Sequence, residues 1–297
     1  MSRIAVTGAT GFVGSALVKA QQALGNEVVK VVRRQAAAPD EVSWDPATGA
    51  IDHDRLAGVD AFVHLAGANV AAGRWTAARK RAIHESRGPA TLRLCRSLAE
   101  SSRPPVFLCA SAIGLYGDRG DEELTEQSAA GSGFLAEVVQ EWEAASEPLA
   151  EAGSRVAHLR IGMVLGNGGA LAKMRTPFRL GLGGRLGSGR QFISWIALAD
   201  LVGIVDFLIE REDLAGAFLC TAPEPITNAD FTKALGRVLR RPTLFPAPAF
   251  ALRLLLGELA KELLLGSQRC RPSRLMEAGY EYRYADLATA LAAAFGE

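Results

Sequence analysis

The stretch IAVTGATGFVG, residues 4–14, decides how this chain is read. An apolar strand breaks at Gly8 into the pattern GxxGxxG (Gly8, Gly11, Gly14) and runs on into a helix-period segment over 12–24. The first glycine permits a tight turn, the second lets backbone approach a pyrophosphate, and the third lets the helix pack close to the strand. Free N–H groups and the positive dipole end at the helix start favour phosphate. In isolation such a glycine turn is weak evidence. Set between a strand, a helix and a second strand within about 30 residues, it marks a dinucleotide site.

The second strand, EVVKVV (27–32), ends in Arg33 and Arg34, nineteen residues after Gly14, with no acid there. Sites for the unphosphorylated dinucleotide place Asp or Glu at this point to bind the ribose. A guanidinium instead suits a 2′-phosphate, so NADP(H) is expected over NAD(H), the alternative being a solvated basic pair. HLAG (64–67) ends the next strand in small residues, Ala66 and Gly67, where backbone passes close to a cofactor. His64 reads as a packed strand histidine rather than a base. Arg87 follows a helix-period segment and reads either as folding back on the phosphates or as a surface helix arginine.

Outward from this motif, apolar runs at 27–32, 60–67, 105–111 and 155–162 alternate with helix-period segments at 74–100, 133–152 and 169–180. Continuous apolar strands between helices imply a parallel sheet covered on both faces. The expected fold is α/β, a Rossmann-like doubly wound parallel sheet with a small, mainly helical C-terminal lobe. We place the cofactor domain at 1–168, with 191–222 returning to it, and the substrate-side lobe at 169–190 and 223–297. In that lobe FALRLLLGELAKELLLG (250–266) reads as one amphipathic helix, and Thr227 or Asn228 as the N-cap of another.

The chain has 297 residues, 49 % hydrophobic and 22 % charged, with a formal net charge of +1. Its mixed charges show no basic stripe for nucleic acid and no polybasic membrane patch. No stretch reaches the ~20 uninterrupted apolar residues of a membrane span, and the N-terminus does not read as a signal peptide. Cys95, Cys109, Cys220 and Cys270 are far apart without CxxC spacing, which argues against a metal site and for reduced thiols in a cytoplasmic protein.

VTGATGFVG, HLAG, SAIGLYGD and GSGRQFISWIALAD resemble the extended short-chain dehydrogenase/reductase superfamily. GRWTAARKRAIHESR, RIGMVLGNGGALAKMRTPFRLGLGG and TAPEPITNADFTKALGRVLRRP are similar to its atypical epimerase-family branch, which bears a C-terminal domain of unknown function. The resemblance covers almost the whole chain. It implies an NADP(H) site contacted by Gly8, Thr10, Gly11, Phe12, Val13, Arg33, Leu65, Ala66, Arg87 and Leu165. It departs at Ala197, where relatives usually carry histidine.

In the superfamily a serine at the end of the fifth strand orients substrate. A Tyr-x-x-x-Lys helix moves the proton, the lysine favouring the phenolate. Ser111 stands where that serine belongs, but Phe134 and Val138 take the expected tyrosine and lysine positions. Tyr116 is the only nearby phenol and the remaining candidate donor. Arg185 and Arg190, in a glycine-rich segment, would favour an anionic ligand. Gln191 and Trp195, with Trp75 and Lys80, are candidates to line the pocket. Asp200 reads as a charge stabilising a helix N-terminus, and Glu137 and Glu141 as a solvated face. Two functions fit: an NADP(H)-dependent epimerase-like oxidoreductase acting on an unknown small molecule, or a non-catalytic NADP(H)-binding redox sensor or interaction protein. Either a monomer or a homodimer is expected.

Overall fold

The structure, a computed structural model, describes residues 1–296. Seven strands form one sheet: β1 (Arg3–Thr7), β2 (Glu27–Val32), β3 (Glu41–Ser43), β4 (Ala61–His64), β5 (Val106–Ala112), β6 (Val156–Ile161) and β7 (Gly216–Cys220). Their spatial order is β7-β6-β5-β4-β1-β2-β3, and every pairing is parallel. The strand order reverses beside β1, so a crevice opens between the C-terminal ends of β1 and β4, the usual ligand position in an open α/β sheet.

Both faces are covered because both strand faces are apolar. Ile4, Val6, Leu108 and Leu159 pack against α1 (Phe12–Ala23) and Leu201, Ile204 and Leu208 of the helix Leu198–Glu210. On the other face Ala5, Phe62, Phe107 and Cys109 meet Leu94 and Leu98 of the helix Gly88–Ala99 and Trp142 of the helix Phe134–Ala144. A separate cluster around Trp195, Phe231, Leu235 and Leu291 forms the core of the C-terminal part. All four cysteines are buried free thiols, and burial raises each pKa.

Three local features differ from the sequence reading. Between the apolar runs at 27–32 and 60–67, where no strand is expected, lies β3, which pairs Glu41 with Lys30 and Val42 with Val31. The basic segment 74–100 is two helices, Ala77–Glu85 and Gly88–Ala99, broken at Arg87, whose backbone leaves the helical region ahead of Pro89. The single helix expected over 250–266 stops at Leu256. Gly257 adopts φ 62°, and a wider turn follows at Ala260–Leu264. A left-handed backbone there is cheap only for glycine.

Asp200 stands in the first turn of the helix Leu198–Glu210, as expected, and it also makes tertiary contacts. It is buried, and its carboxylate accepts the backbone N–H groups of Arg283 (2.6 Å) and Tyr284 (3.0 Å), which fastens the C-terminal segment to the helix Leu198–Glu210. Burial raises its pKa, against the lowering effect of those two bonds.

Candidate functional site

The crevice is built first from close backbone. Gly8 sits at φ 66°, and a Cβ there would lie 2.9 Å from the Leu65 carbonyl oxygen. A Cβ on Gly14 would fall on the Gly8 carbonyl. Gly11 donates its N–H to Gly8 O at 2.8 Å, closing the turn. No side chain caps α1 at Gly11 and its first turn holds no acid. Among the described residues, the N–H groups of Phe12, Val13 and Gly14 have no acceptor. A helix start of this kind is ready-made for phosphate oxygens. Thr10 is exposed beside it, and the Phe12 ring lies against Gly166, Gly168 and Gly169, beyond the strand Met163–Leu165.

The opposite wall, the β4 end, is held by a relay missed in the sequence. Thr7 Oγ1 accepts the N–H groups of Leu65 (3.0 Å) and Ala66 (3.2 Å). Its own proton therefore goes to His64 Nδ1 at 2.9 Å, and His64 Nε2 donates to Thr91 Oγ1 at 3.1 Å. This fixes one neutral tautomer of His64. Burial, with a smaller contribution from Arg87, lowers its pKa to about 3. The unfolded chain therefore takes up this proton first as pH falls below 6.5, and stability drops through the window from 6.5 to about 3. Between pH 6 and 5, denaturant titrations should show stability falling by about 1.4 kcal/mol per pH unit from this residue. His64→Asn should remove that share of the slope; the slope due to His158, whose pKa burial also lowers, stays. An unchanged slope would contradict the assignment.

Arg87 lies at the break between the helices Ala77–Glu85 and Gly88–Ala99, and its side chain packs inward. Its guanidinium stacks over the Trp142 ring at 4.9 Å and donates to Ala68 O (3.1 Å) and Ile83 O (3.2 Å). A Cβ on exposed Gly67 would lie 3.4 Å from its Cζ and Nη2. No carboxylate pairs with it among the described residues. Burial, then the nearby Arg79, lowers its pKa to about 10. A cation kept from solvent without a counter-ion favours an anion at the crevice.

At the β2 end the two arginines divide. Arg34 forms a bidentate pair with Glu41 (2.5 and 2.8 Å), which lowers the Glu41 pKa to about 2. Arg33 is exposed and makes no hydrogen bond or ion pair to described residues. Arg33→Ala should weaken NADPH by about 1.5–3 kcal/mol while leaving NADH nearly unchanged, read by parallel titrations. Equal losses would remove Arg33 from the 2′-phosphate site.

The proton-transfer candidates lie in a different environment. Ser111 is buried and donates to Glu143 Oε1 at 2.6 Å. Glu143 is clamped by Arg160 through Nε and Nη2, both at 2.8 Å. Arg160 Nη1 also donates to Tyr116 Oη (2.8 Å) and Glu126 O (3.0 Å), and Tyr116 Oη donates to Thr125 O (3.0 Å). Tyr116 is fully buried; burial, opposed by Arg160, raises its pKa to about 12. Both oxygens are thus engaged in one internal cluster. The sequence reading missed Glu143 and Arg160. A signal was present, since arginine inside the apolar strand VAHLRI requires a buried anion.

Phe134 and Val138 are packed, not open: Phe134 meets Trp75 at 5.3 Å and lies under Lys80 Nζ, while Val138 is buried beside Leu259. Lys80 pairs with Glu258 at 2.8 Å, and Glu262 accepts the N–H groups of Phe134 (3.0 Å) and Leu135 (2.8 Å). The segment 256–264 therefore closes against this helix. Of the substrate-side candidates, Arg185 and Arg190 are exposed. Gln191 is buried and bonded to Leu186 O and Leu264 O, and Trp195 is a core residue. Leu165 is buried too, leaving only its backbone to offer a ligand.

Residues 4–218 match the model of the NAD dependent epimerase/dehydratase family, and residues 247–294 match a domain of unknown function (DUF1731). The chain is 42 % identical to the epimerase family protein Mb2239 of Mycobacterium bovis, over 97 % of this chain and 96 % of that protein. It is similar to the crystal structure of human epimerase family protein SDR39U1 (isoform 2) with NADPH: TM-score 0.89, 34 % identity, 97 % of each chain covered. A nucleoside-diphosphate sugar epimerase structure from Corynebacterium glutamicum matches at TM-score 0.82 and 38 % identity, covering 99 % of this chain and 58 % of that one.

Proposed function

The chain belongs to the NAD dependent epimerase/dehydratase family, and from that premise we propose that it binds NADP(H) across the β1–β4 crevice as an epimerase-like oxidoreductase of an unknown small-molecule substrate. Two observations carry this: Arg87, a guanidinium packed between Trp142 and Gly67 at the end of β4 with no carboxylate partner among the described residues, and the start of α1 at the end of β1, whose amides lack acceptors. The amides of Phe12, Val13 and Gly14 would take pyrophosphate oxygens, Arg87 would balance their charge, and Arg33 would meet the 2′-phosphate. A nicotinamide held there would serve as hydride donor or acceptor. The relative solved with NADPH supports the choice of cofactor.

We take 1–168 with 191–222 as the cofactor unit and 169–190 with 223–297 as the substrate side, where Arg185 and Arg190 would favour an anion. A second reading, a non-catalytic NADP(H)-binding sensor, is favoured by one specific observation. Ser111 and Tyr116 are both spent on the Arg160–Glu143 cluster, while Phe134 and Val138 cannot move protons.

The two readings separate on turnover. NADPH-loaded protein mixed with a panel of small carbonyl compounds should lose reduced-nicotinamide absorbance if the first holds, and Ser111→Ala should abolish that loss. Turnover unaffected by Ser111→Ala would take the serine out of the mechanism. Binding with no oxidation across the panel moves the weight to the sensor.

A further inference from the structure

The net charge of +1 conceals an asymmetry that the fold brings together. Residues 169–190 and 231–257 contain ten lysines and arginines and no aspartate or glutamate; the rest of the chain is therefore net −9. These stretches run side by side. Ala247 N donates to Arg185 O at 2.9 Å, Gly187 N to Ala247 O at 2.8 Å, and Arg241 Nε to Arg179 O at 3.0 Å. A Cβ on Gly184 would fall on the Phe245 carbonyl.

The same surface is apolar. Leu180 and Leu182 come from one stretch and Leu244 and Phe245 from the other, followed by Phe250 and Leu254; all six are 61–74 % exposed. The helix Ala249–Leu256 buries none of its residues. Arg237, Arg240 and Arg241 line a cavity of about 380 Å³ with Lys233, and of these four only Lys233 forms an ion pair among the described residues, with Asp230. Exposed apolar side chains gathered this way mark a binding surface.

We propose that this face docks on an anionic phospholipid bilayer, with Phe250 and Leu254 entering the headgroup region and the arginines meeting lipid phosphates. Three observations select this occupant. A second copy joined through the same face would set the unpaired Arg237, Arg240 and Arg241 of one chain against those of the other. The apolar side chains project outward instead of lining a groove that would hold a peptide. Short apolar helices flanked by arginine lie in the interface plane of a membrane, and each basic residue near an anionic surface adds attraction. None of this involves a membrane-crossing helix: no helix among the described residues is long and apolar enough. The sequence reading found no polybasic patch because the ten charges lie in two stretches 40 residues apart along the chain.

The test is flotation of the full chain with phosphatidylcholine vesicles, with and without added phosphatidylglycerol. Binding is expected only with phosphatidylglycerol and should weaken as salt rises. Phe250→Ser with Leu254→Ser should reduce partitioning at least about tenfold, and Arg237→Gln with Arg240→Gln by about fivefold for each arginine. Both pairs lie on the surface, so thermal melting should not change. No binding at low salt overturns the proposal. Binding unaffected by the apolar pair reduces it to counter-ion adsorption and overturns it as well. A change from dimer to monomer in the apolar pair, without vesicle binding by the parent, would assign the face to a second copy.

Discussion

Gly14→Ala should weaken NADPH binding at least about a hundredfold while the chain still folds. The new methyl would fall on the Gly8 carbonyl oxygen and 2.8 Å from the Gly8 carbonyl carbon, and backbone cannot rotate aside as a side chain can. The helix start must therefore move away from β1, taking the free amides of Phe12 and Val13 with it. Overpacking of this kind costs about 1–3 kcal/mol of stability. Each charge-assisted amide–phosphate bond is worth about 1.5–3 kcal/mol, so two lost bonds mean at least about a hundredfold weaker binding. Gly25→Ala is the control: φ is 81° there and nothing lies within 4 Å of its Cβ, so it should cost stability without touching affinity. NADPH binding by Gly14→Ala at parental affinity would show that the dinucleotide does not rest on this turn.

Arg160→Met should be the most destabilising single change among the charged residues. It leaves the Glu143 carboxylate buried with only Ser111 donating to it, and it strips a donor from the Tyr116 oxygen and the Glu126 carbonyl. Breaking one side of such a pair costs about 3–5 kcal/mol, chiefly because the surviving charge has no counter-ion. Arg160→Met combined with Glu143→Leu should recover most of that loss, since apolar replacement of a whole buried pair is often nearly neutral. Denaturant midpoints of the three proteins decide it. A double variant as unstable as the single one would mean that the cluster acts through something other than uncompensated charge.

The sheet was legible because its signal is local. IAVTG, EVVKVV and AFVH are continuous apolar runs, and the glycine spacing after the first has one geometric meaning. β3 was not legible, since three residues, Glu41–Ser43, carry no periodicity and depend on the neighbouring edge of β2. The break at Gly257 was hidden in an apolar pattern that satisfies a helix, and it arises where the chain turns to bring Glu258 and Glu262 onto Lys80 and the helix start at Phe134.

Among the site residues, those that act through backbone shape could be read: Gly8, Gly14 and Gly67. Those defined by partners distant in sequence could not. Asp200 is the helix-end charge its position suggests, but its bonds to Arg283 and Tyr284 join residues far apart in the chain. Thr7 looked like the end of a strand, yet it ties β1 to the β4 end through three hydrogen bonds. Ser111 and Tyr116 matched positions known to carry chemistry, and only the side chains of Glu143 and Arg160 reveal how both oxygens are used. The division of Arg33 and Arg34 into one free and one paired cation depended on the unread β3, because Glu41 belongs to it.

The central claim is that the crevice holds NADP(H) through Arg87, the open start of α1 and a free Arg33. Calorimetric titration of the unmodified chain with NADPH and NADH side by side tests it most directly. NADPH should bind tightly and NADH more weakly by at least about tenfold, the worth of one charge-assisted contact to the 2′-phosphate. Equal affinity for the two dinucleotides, or heat from neither, would contradict it.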